Sequence, residues 1–194
     1  ALLRRDGADG HEDSLRDTIA WSWQLLSQAE RDALAQCSVF QGSFDLEAAE
    51  DVIELGADGP WALDAMQSLV EQSLVQTREH RAGELRFRVF ESVRAFAAEQ
   101  LSEEARELAE TRRDVSFANR AARLRKQVDG PDAATALDQL ASDVENMFTV
   151  HRRSVALGRG DRALQVALAL NALFSLRGPL TPMLELLDAA LAQP

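Results

Sequence analysis

Residues 60–101 read PWALDAMQSLVEQSLVQTREHRAGELRFRVFESVRAFAAEQL, and the fold is decided at Ser73. Before it, Leu63, Met66, Leu69 and Val70 recur at helical spacing, and Pro60 suits the first position of that helix. After it the hydrophobic period drops from about 3.6 to about 2. Leu74-Val75-Gln76-Thr77 reads as a strand, and Leu85, Phe87 and Val89 alternate with Arg86 and Arg88 as a half-buried second strand. Glu79 to Gly83 supply the polar turn between them. From Phe90 the helical period returns, with Val93, Phe96, Ala97 and Leu101 on one face.

Working outward, the flanks are helical. Upstream, Ser14 is positioned to cap a helix with Leu15, Ile19, Trp23 and Leu26 on one side. Ser27-Gln28-Ala29-Glu30 has the spacing of a capping box, opening a helix through Ala33, Leu34, Cys37 and Phe40. Asp45 caps a short third helix with Leu46, Ala49, Val52 and Ile53 inward. Downstream, Ser102 caps a long arginine-bearing helix that runs to the break at Asp129-Gly130-Pro131. Leu137, Leu140, Ala141, Val144, Phe148 and Val155 form one long apolar stripe, ended by Gly158-Arg159-Gly160. Residues 161–176 and 180–192 read as a helical pair joined through Gly178-Pro179. The fold class is therefore mainly α with one small β-hairpin: a winged-helix arrangement followed by helical hairpins.

Composition narrows the function. The chain has 194 residues, 46% hydrophobic and 27% charged, enough for one compact domain or two small ones. It carries 21 Lys+Arg against 32 Asp+Glu, a net charge of −11, which disfavours nucleic-acid binding as a default. The first 73 residues hold 4 arginines and 15 acids; the rest hold 17 of each sign. From Asp45 to Glu71 there are eight acids and no Lys or Arg. That run is a solvated face or a docking face for a basic partner, with Asp45, Glu47, Glu50, Asp51, Asp64 and Glu71 as the contact candidates. The only lysine, Lys126, stands in no G-x-x-x-x-G-K-[ST] context, so the chain carries no P-loop. A single cysteine excludes a disulfide framework, and Cys37 falls on an apolar helix face where it reads as core. No metal-ligand spacing and no nucleophile motif occurs, so no catalytic, cofactor or metal site is expected. There is no apolar run long enough to span a membrane and no signal peptide. The opening without Met reads as a cytoplasmic fragment of something longer.

Several runs in order carry a resemblance: Ser14-Leu15-Arg16-Asp17-Thr18-Ile19-Ala20-Trp21-Ser22-Trp23, Ser38-Val39-Phe40-Gln41-Gly42-Ser43-Phe44, Leu69-Val70-Glu71-Gln72-Ser73-Leu74-Val75 and Phe87-Arg88-Val89-Phe90-Glu91-Ser92-Val93-Arg94. Residues 14–101 resemble the winged-helix domain of bacterial STAND ATPases of the NB-ARC, LuxR/SARP-like type. Residues 102–194 resemble their linker helices and first tetratricopeptide-like repeats, and residues 1–13 would be a linker from an upstream ATPase domain. The resemblance implies a non-catalytic module that biases an adjacent nucleotide-binding domain, holding ADP or ATP, between closed and open states. It implies a protein or small-molecule signal received through downstream repeats, and oligomerisation on activation. The family's Met-His-Asp sensor falls on Val89-Phe90-Glu91, so the phosphate-touching histidine is replaced by Phe90, read as core. Glu91 reads as an acid at a helix N-terminus, and Arg94 as an interdomain contact or an ordinary surface ion pair.

Two alternatives stand beside this. A DNA-binding winged helix would insert the helix before the hairpin into the major groove. That helix offers Asp64, Glu71, Gln67 and Gln72 but no cation, although the hairpin carries Arg78, Arg81, Arg86, Arg88 and His80. The other alternative is a helical-repeat adaptor for proteins. Trp21, Trp23 and Trp61 read as core or interdomain packing residues rather than a base-stacking platform.

Overall fold

The protein is described from a computed structural model covering residues 6–80, 84–178 and 181–193. Among the described residues, ten helices and one two-stranded antiparallel sheet follow in the expected class. Helix α1 (Asp6–Leu25) begins well before Ser14, inside the segment read as a linker. Gly7 and Gly10 lower local helix propensity, which hid that start. Ser14 is interior to the helix; its carbonyl accepts the Thr18 hydroxyl at 2.9 Å.

Helix α2 (Gln28–Cys37) opens on the expected capping box: Ser27 Oγ accepts the Glu30 amide, and Glu30 Oε2 accepts the Ser27 amide at 2.6 Å. Glu30 also reaches across to the next layer, accepting from the Ser68 hydroxyl and from Gln72. Those hydrogen bonds, Ser68 first, hold its carboxyl below the ordinary range. Helix α3 (Leu46–Val52) is capped by Asp45, whose Oδ1 accepts the Ala48 amide at 2.9 Å. Helix α4 (Ala62–Glu71) starts two residues after Pro60, with Trp61 at the N-cap and no side-chain cap bond. It ends in a Schellman turn: the Leu74 amide bonds the Leu69 carbonyl and the Ser73 amide the Val70 carbonyl. Ser73 takes the left-handed conformation there, φ 59°, where glycine is usual.

Strands β1 (Val75–Glu79) and β2 (Leu85–Val89) pair with Val75 opposite Val89 and Arg78 opposite Arg86. Phe44 forms an isolated bridge to β2, exchanging two backbone hydrogen bonds with Phe87. The turn residues 81–83, with Arg81 and Gly83, lie outside the described residues. Helix α5 (Glu91–Glu99) follows with Val93 and Ala97 inward and Phe96 edge-on to Trp23, ring centroids 5.7 Å apart.

Helix α6 (Glu103–Gln127) is capped by Ser102. The stripe expected to run unbroken to Val155 is two helices, α7 (Ala133–Ser142) and α8 (Val144–Ala156), hinged at Asp143. A buried carboxylate at the corner, with no glycine or proline to announce it, explains why pattern alone merged them. Helices α9 (Gly160–Arg177) and α10 (Thr181–Leu191) complete the arm, and Gly178, φ 63°, stops α9.

Residues 102–193 pack on the winged helix through one continuous core. Phe40 stacks on Phe44 at 4.0 Å, and Phe117 of α6 meets Phe40 edge-on at 6.2 Å. Phe40, Phe44 and Phe117 are all fully buried, so α6 serves as a wall of the winged-helix core as well as the spine of the arm. Leu124, Leu140, Met147, Val150 and Leu170 extend that core into the arm.

Candidate functional site

Two surfaces of the winged helix carry charge, and they have opposite fates. The first is a seam between α3, the hairpin and the arm. Arg120 of α6 grips Asp45 with both terminal nitrogens, at 2.7 and 2.8 Å, and reaches Glu47 at 2.8 Å. Arg123 takes the other side of Glu47 at 3.0 Å. Ser116 donates to Asp51 at 2.6 Å. Thus three of the six acids singled out as contact candidates meet the chain's own α6. At the bottom of the seam Asp143, fully buried, lies 2.5 Å from Arg86 and 3.2 Å from Arg120. Burial pushes the Asp143 carboxyl up against the pull of both arginines. Burial also lifts Asp45, but there Arg120 outweighs it and the carboxyl sits below its ordinary value. Glu84, beside Arg86 at 3.6 Å, is pushed up by burial and by the neighbouring carboxylates.

Arg86 is the main departure from the alternation read in β2. Leu85 is 50% exposed and Arg86 only 2%, because the α7–α8 corner covers the polar side of the hairpin. Two further joints flank the seam. Arg112 bonds the Val52 carbonyl and Gln36, which itself ties α2 to Glu54. Arg113 donates to the Val39 carbonyl and to Asp114, which also accepts from Arg153 of α8. Sequence reasoning missed Arg113, Arg120, Asp143 and Asn146. A signal existed for the arginines: Arg106, Arg113 and Arg120 recur every seven residues along one side of α6.

The second surface is open. On α4, Leu63 is 43% exposed, and Asp64, Gln67 and Glu71 face solvent. Trp61 at its N-terminus is 78% exposed and Trp21 on α1 63%, so neither is a core residue of this chain; Trp23 packs against the core. Glu50 is exposed too. Arg78 and Arg88 project from the hairpin into solvent.

Between these surfaces lies the sensor-motif equivalent. Phe90 is the N-cap of α5 and 40% exposed, not core: the helix starts immediately after it, and the strand's inward position is taken by Val89. Glu91 is the first residue of α5 and pairs with Arg94 at 2.5 Å, which lowers its carboxyl's affinity for protons. Phe40, Gly42, Arg88, Glu91, Arg94 and Glu145 line a cleft of about 60 Å³ here. Gly42, φ 73°, leaves room for the Glu145 carboxylate, which stands 2.8 Å from where a Cβ would be. Two arginines and two carboxylates line the cleft, so its charges balance.

Other reactive groups have structural partners. Cys37 is buried against Met66 Sδ, 3.6 Å, and burial raises its thiol far above the reactive range. Ser142 Oγ lies 3.1 Å from His80 Nε2, but its own proton goes to the Asp138 carbonyl at 2.8 Å. The imidazole is then the donor, the reverse of an activated serine. His151 is buried with Nε2 on the Leu186 carbonyl, 2.9 Å. Among the described residues no group of three His, Cys, Asp or Glu could hold a metal, and no helix is long and apolar enough to cross a membrane.

Three helices, a hairpin on their flank and a closing helix define a winged-helix domain, here continued by a helical arm. Residues 26–102 match the family model of the winged helix-turn-helix domain. The chain is 30% identical over 167 residues to a Mycobacterium tuberculosis protein named "Putative HTH-type transcriptional regulator Rv0890c", and equally to its Mycobacterium bovis counterpart. That match covers 85% of this chain and 19% of those relatives, so the chain spans about a fifth of their length. It is also 38% identical over 94 residues, 47% of this chain, to the M. tuberculosis "Uncharacterized protein Rv0894", covering 24% of that protein. No solved structure matches.

Proposed function

We propose that this chain is a non-catalytic regulatory module of a larger transcriptional regulator, acting through protein contacts made by its winged helix and clamped by its helical arm. The observation that carries the reading is the outward face of α4. The helix that would enter a major groove presents Leu63, Asp64, Gln67 and Glu71, with no cation to read a base or meet a phosphate. Acids there repel the duplex, while exposed Trp61 and Leu63 give an apolar contact of the kind proteins use. On the STAND resemblance the partner is an upstream nucleotide-binding domain that holds ADP or ATP, the cytoplasm is the compartment, and the parent assembles when a signal opens it. The module changes the closed–open balance only by differing contacts in the two states. Arg94, tied to Glu91 at the start of α5, is the residue to test: in the full-length parent, Arg94→Ala raises basal assembly, and an unchanged resting state removes Arg94 from that role.

A second reading, contact with duplex DNA, is favoured by the winged helix-turn-helix match and by the regulator names of the relatives. Its candidates are the hairpin arginines, which would touch backbone rather than bases and so position without specifying. A gel shift of the chain at low salt separates the two. The first reading predicts no tight, saturable, sequence-dependent complex; such a complex, weakened by Gln67→Ala, would overturn it.

A further inference from the structure

The hairpin has a polar side, and the arm covers its middle. The strand register places Gln76, Arg78, Arg86 and Arg88 on one side of the two strands, because opposed residues share a face and every second residue returns to it. Val75, Phe87 and Val89 enter the core from the other side. Arg78 and Arg88 are exposed, yet Arg86 between them is hidden. The α7–α8 corner covers it, through Asp143 Oδ1 at 2.5 Å and the Ser142 carbonyl at 3.4 Å, while Ser43 of the α2–α3 loop accepts from Nε and Nη2, both at 3.0 Å, and orients the guanidinium toward that corner. Ser142 Oγ also meets His80 at the end of β1. Asn146 of α8 fastens the same corner to the α2–α3 loop, accepting the Gln41 amide at 2.7 Å and donating to the Ser43 carbonyl at 2.9 Å.

A buried arginine is a costly way to pack a strand, since an apolar residue of similar volume often serves stability as well or better. Arg86 Nη1 is buried and makes no hydrogen bond; Glu84 Oε1 faces it at ion-pair distance, 3.6 Å. One arm of its guanidinium is thus met by a carboxylate without a hydrogen bond, on a face that already shows two other arginines. We propose that the α7–α8 corner masks a backbone-contact surface for duplex DNA on the hairpin, with the Asp143 carboxylate standing where a phosphate oxygen would meet Arg86. This rests on the second reading above and adds to it a closed state: with the arm docked the row is interrupted, and with the corner lifted Arg78, Arg86 and Arg88 form one cationic row beside His80. The acidic α4 face keeps such contact independent of sequence, so the arm controls whether the hairpin touches DNA and not which DNA it reads.

The test is binding of a 20-base-pair duplex at low salt by the whole chain and its variants. Asp143→Asn removes the charge that holds Arg86 and should bind roughly tenfold more tightly than the unaltered chain, with a salt dependence steeper by about one phosphate contact. Adding Arg86→Gln to Asp143→Asn should return affinity to the starting level. Asp132→Asn, an exposed site with the same charge change, should give no such gain. Asn146→Ala, which loosens the corner without altering charge, should move affinity the same way by less, and keeps the test decisive if Asp143→Asn does not fold. Equal binding by the unaltered chain and both corner variants would show the hairpin is not masked. No binding by any variant, with hydrogen exchange showing the corner open, would show the hairpin is not a DNA surface. Either result ends the proposal, and the second also removes the duplex-contact reading.

Discussion

The seam and the α4 face draw on the same cation-free run of acids, yet one is a joint and the other a surface. Asp45 and Glu47 meet Arg120 and Arg123 from a helix more than seventy residues later in the chain, whereas Asp64 and Glu71 remain in solvent. Local sequence is the same in kind for both. What differs is whether the arm's path brings a guanidinium alongside. The lesson is that a block of like charge records a need for opposite charge without saying whether the same chain supplies it.

The sharpest way to break the contrast is to remove the charge at the bottom of the seam. Asp143→Ala leaves Arg86 and Arg120 buried with their shared carboxylate gone, and should cost about 3–5 kcal/mol in denaturant unfolding. A loss within that of an exposed acid would mean the seam is no joint. The end of α4 offers an opposite, smaller effect. Ser73 holds a left-handed conformation that glycine adopts freely, so Ser73→Gly should stabilise the chain by about 1 kcal/mol in the same assay. A destabilised variant would show that the Schellman turn is not strained.

A smaller, pH-dependent effect belongs to the arm. Burial holds the His151 imidazole below its ordinary value, so its contribution is complete above about pH 6.5 and fades as the pH falls through the depressed value. The thermal midpoint should therefore drop between pH 7.5 and 5.5 by more in the unaltered chain than in His151→Gln. Equal drops would dismiss His151 as the source. Least of all should the open acids matter: Asp64→Ala and Glu71→Ala should each change stability by less than about 0.5 kcal/mol. A larger loss would mean that α4 is held by contacts of those side chains.

Much of the fold was legible. The capping box at Ser27 and the caps at Asp45 and Ser102 are local chemistry, fixed within four residues, and each occurs where its spacing placed it. The switch to period two marked both strands. What was illegible depended on distant partners. Arg86 broke the strand alternation because Asp143 neutralises it from 57 residues away. The turn at Asp143 carried no glycine or proline, since a buried ion pair holds that corner. Phe90 looked like core by its type, but its place at the helix start turned it outward. Of the contact candidates, Asp45, Glu47 and Asp51 were recognisable as acids seeking a partner, while the partner, α6, was visible only as a row of arginines seven residues apart.

The arm and the winged helix are one body joined at Asp143, and native-state hydrogen exchange tests that most directly. The slow amides of β2 and α8 should open together in the unaltered chain, with a common free energy, and both should be lowered by Asp143→Asn. If α8 opened at a much lower free energy than β2, with β2 indifferent to Asp143→Asn, the arm would be a separate unit and the seam merely a contact.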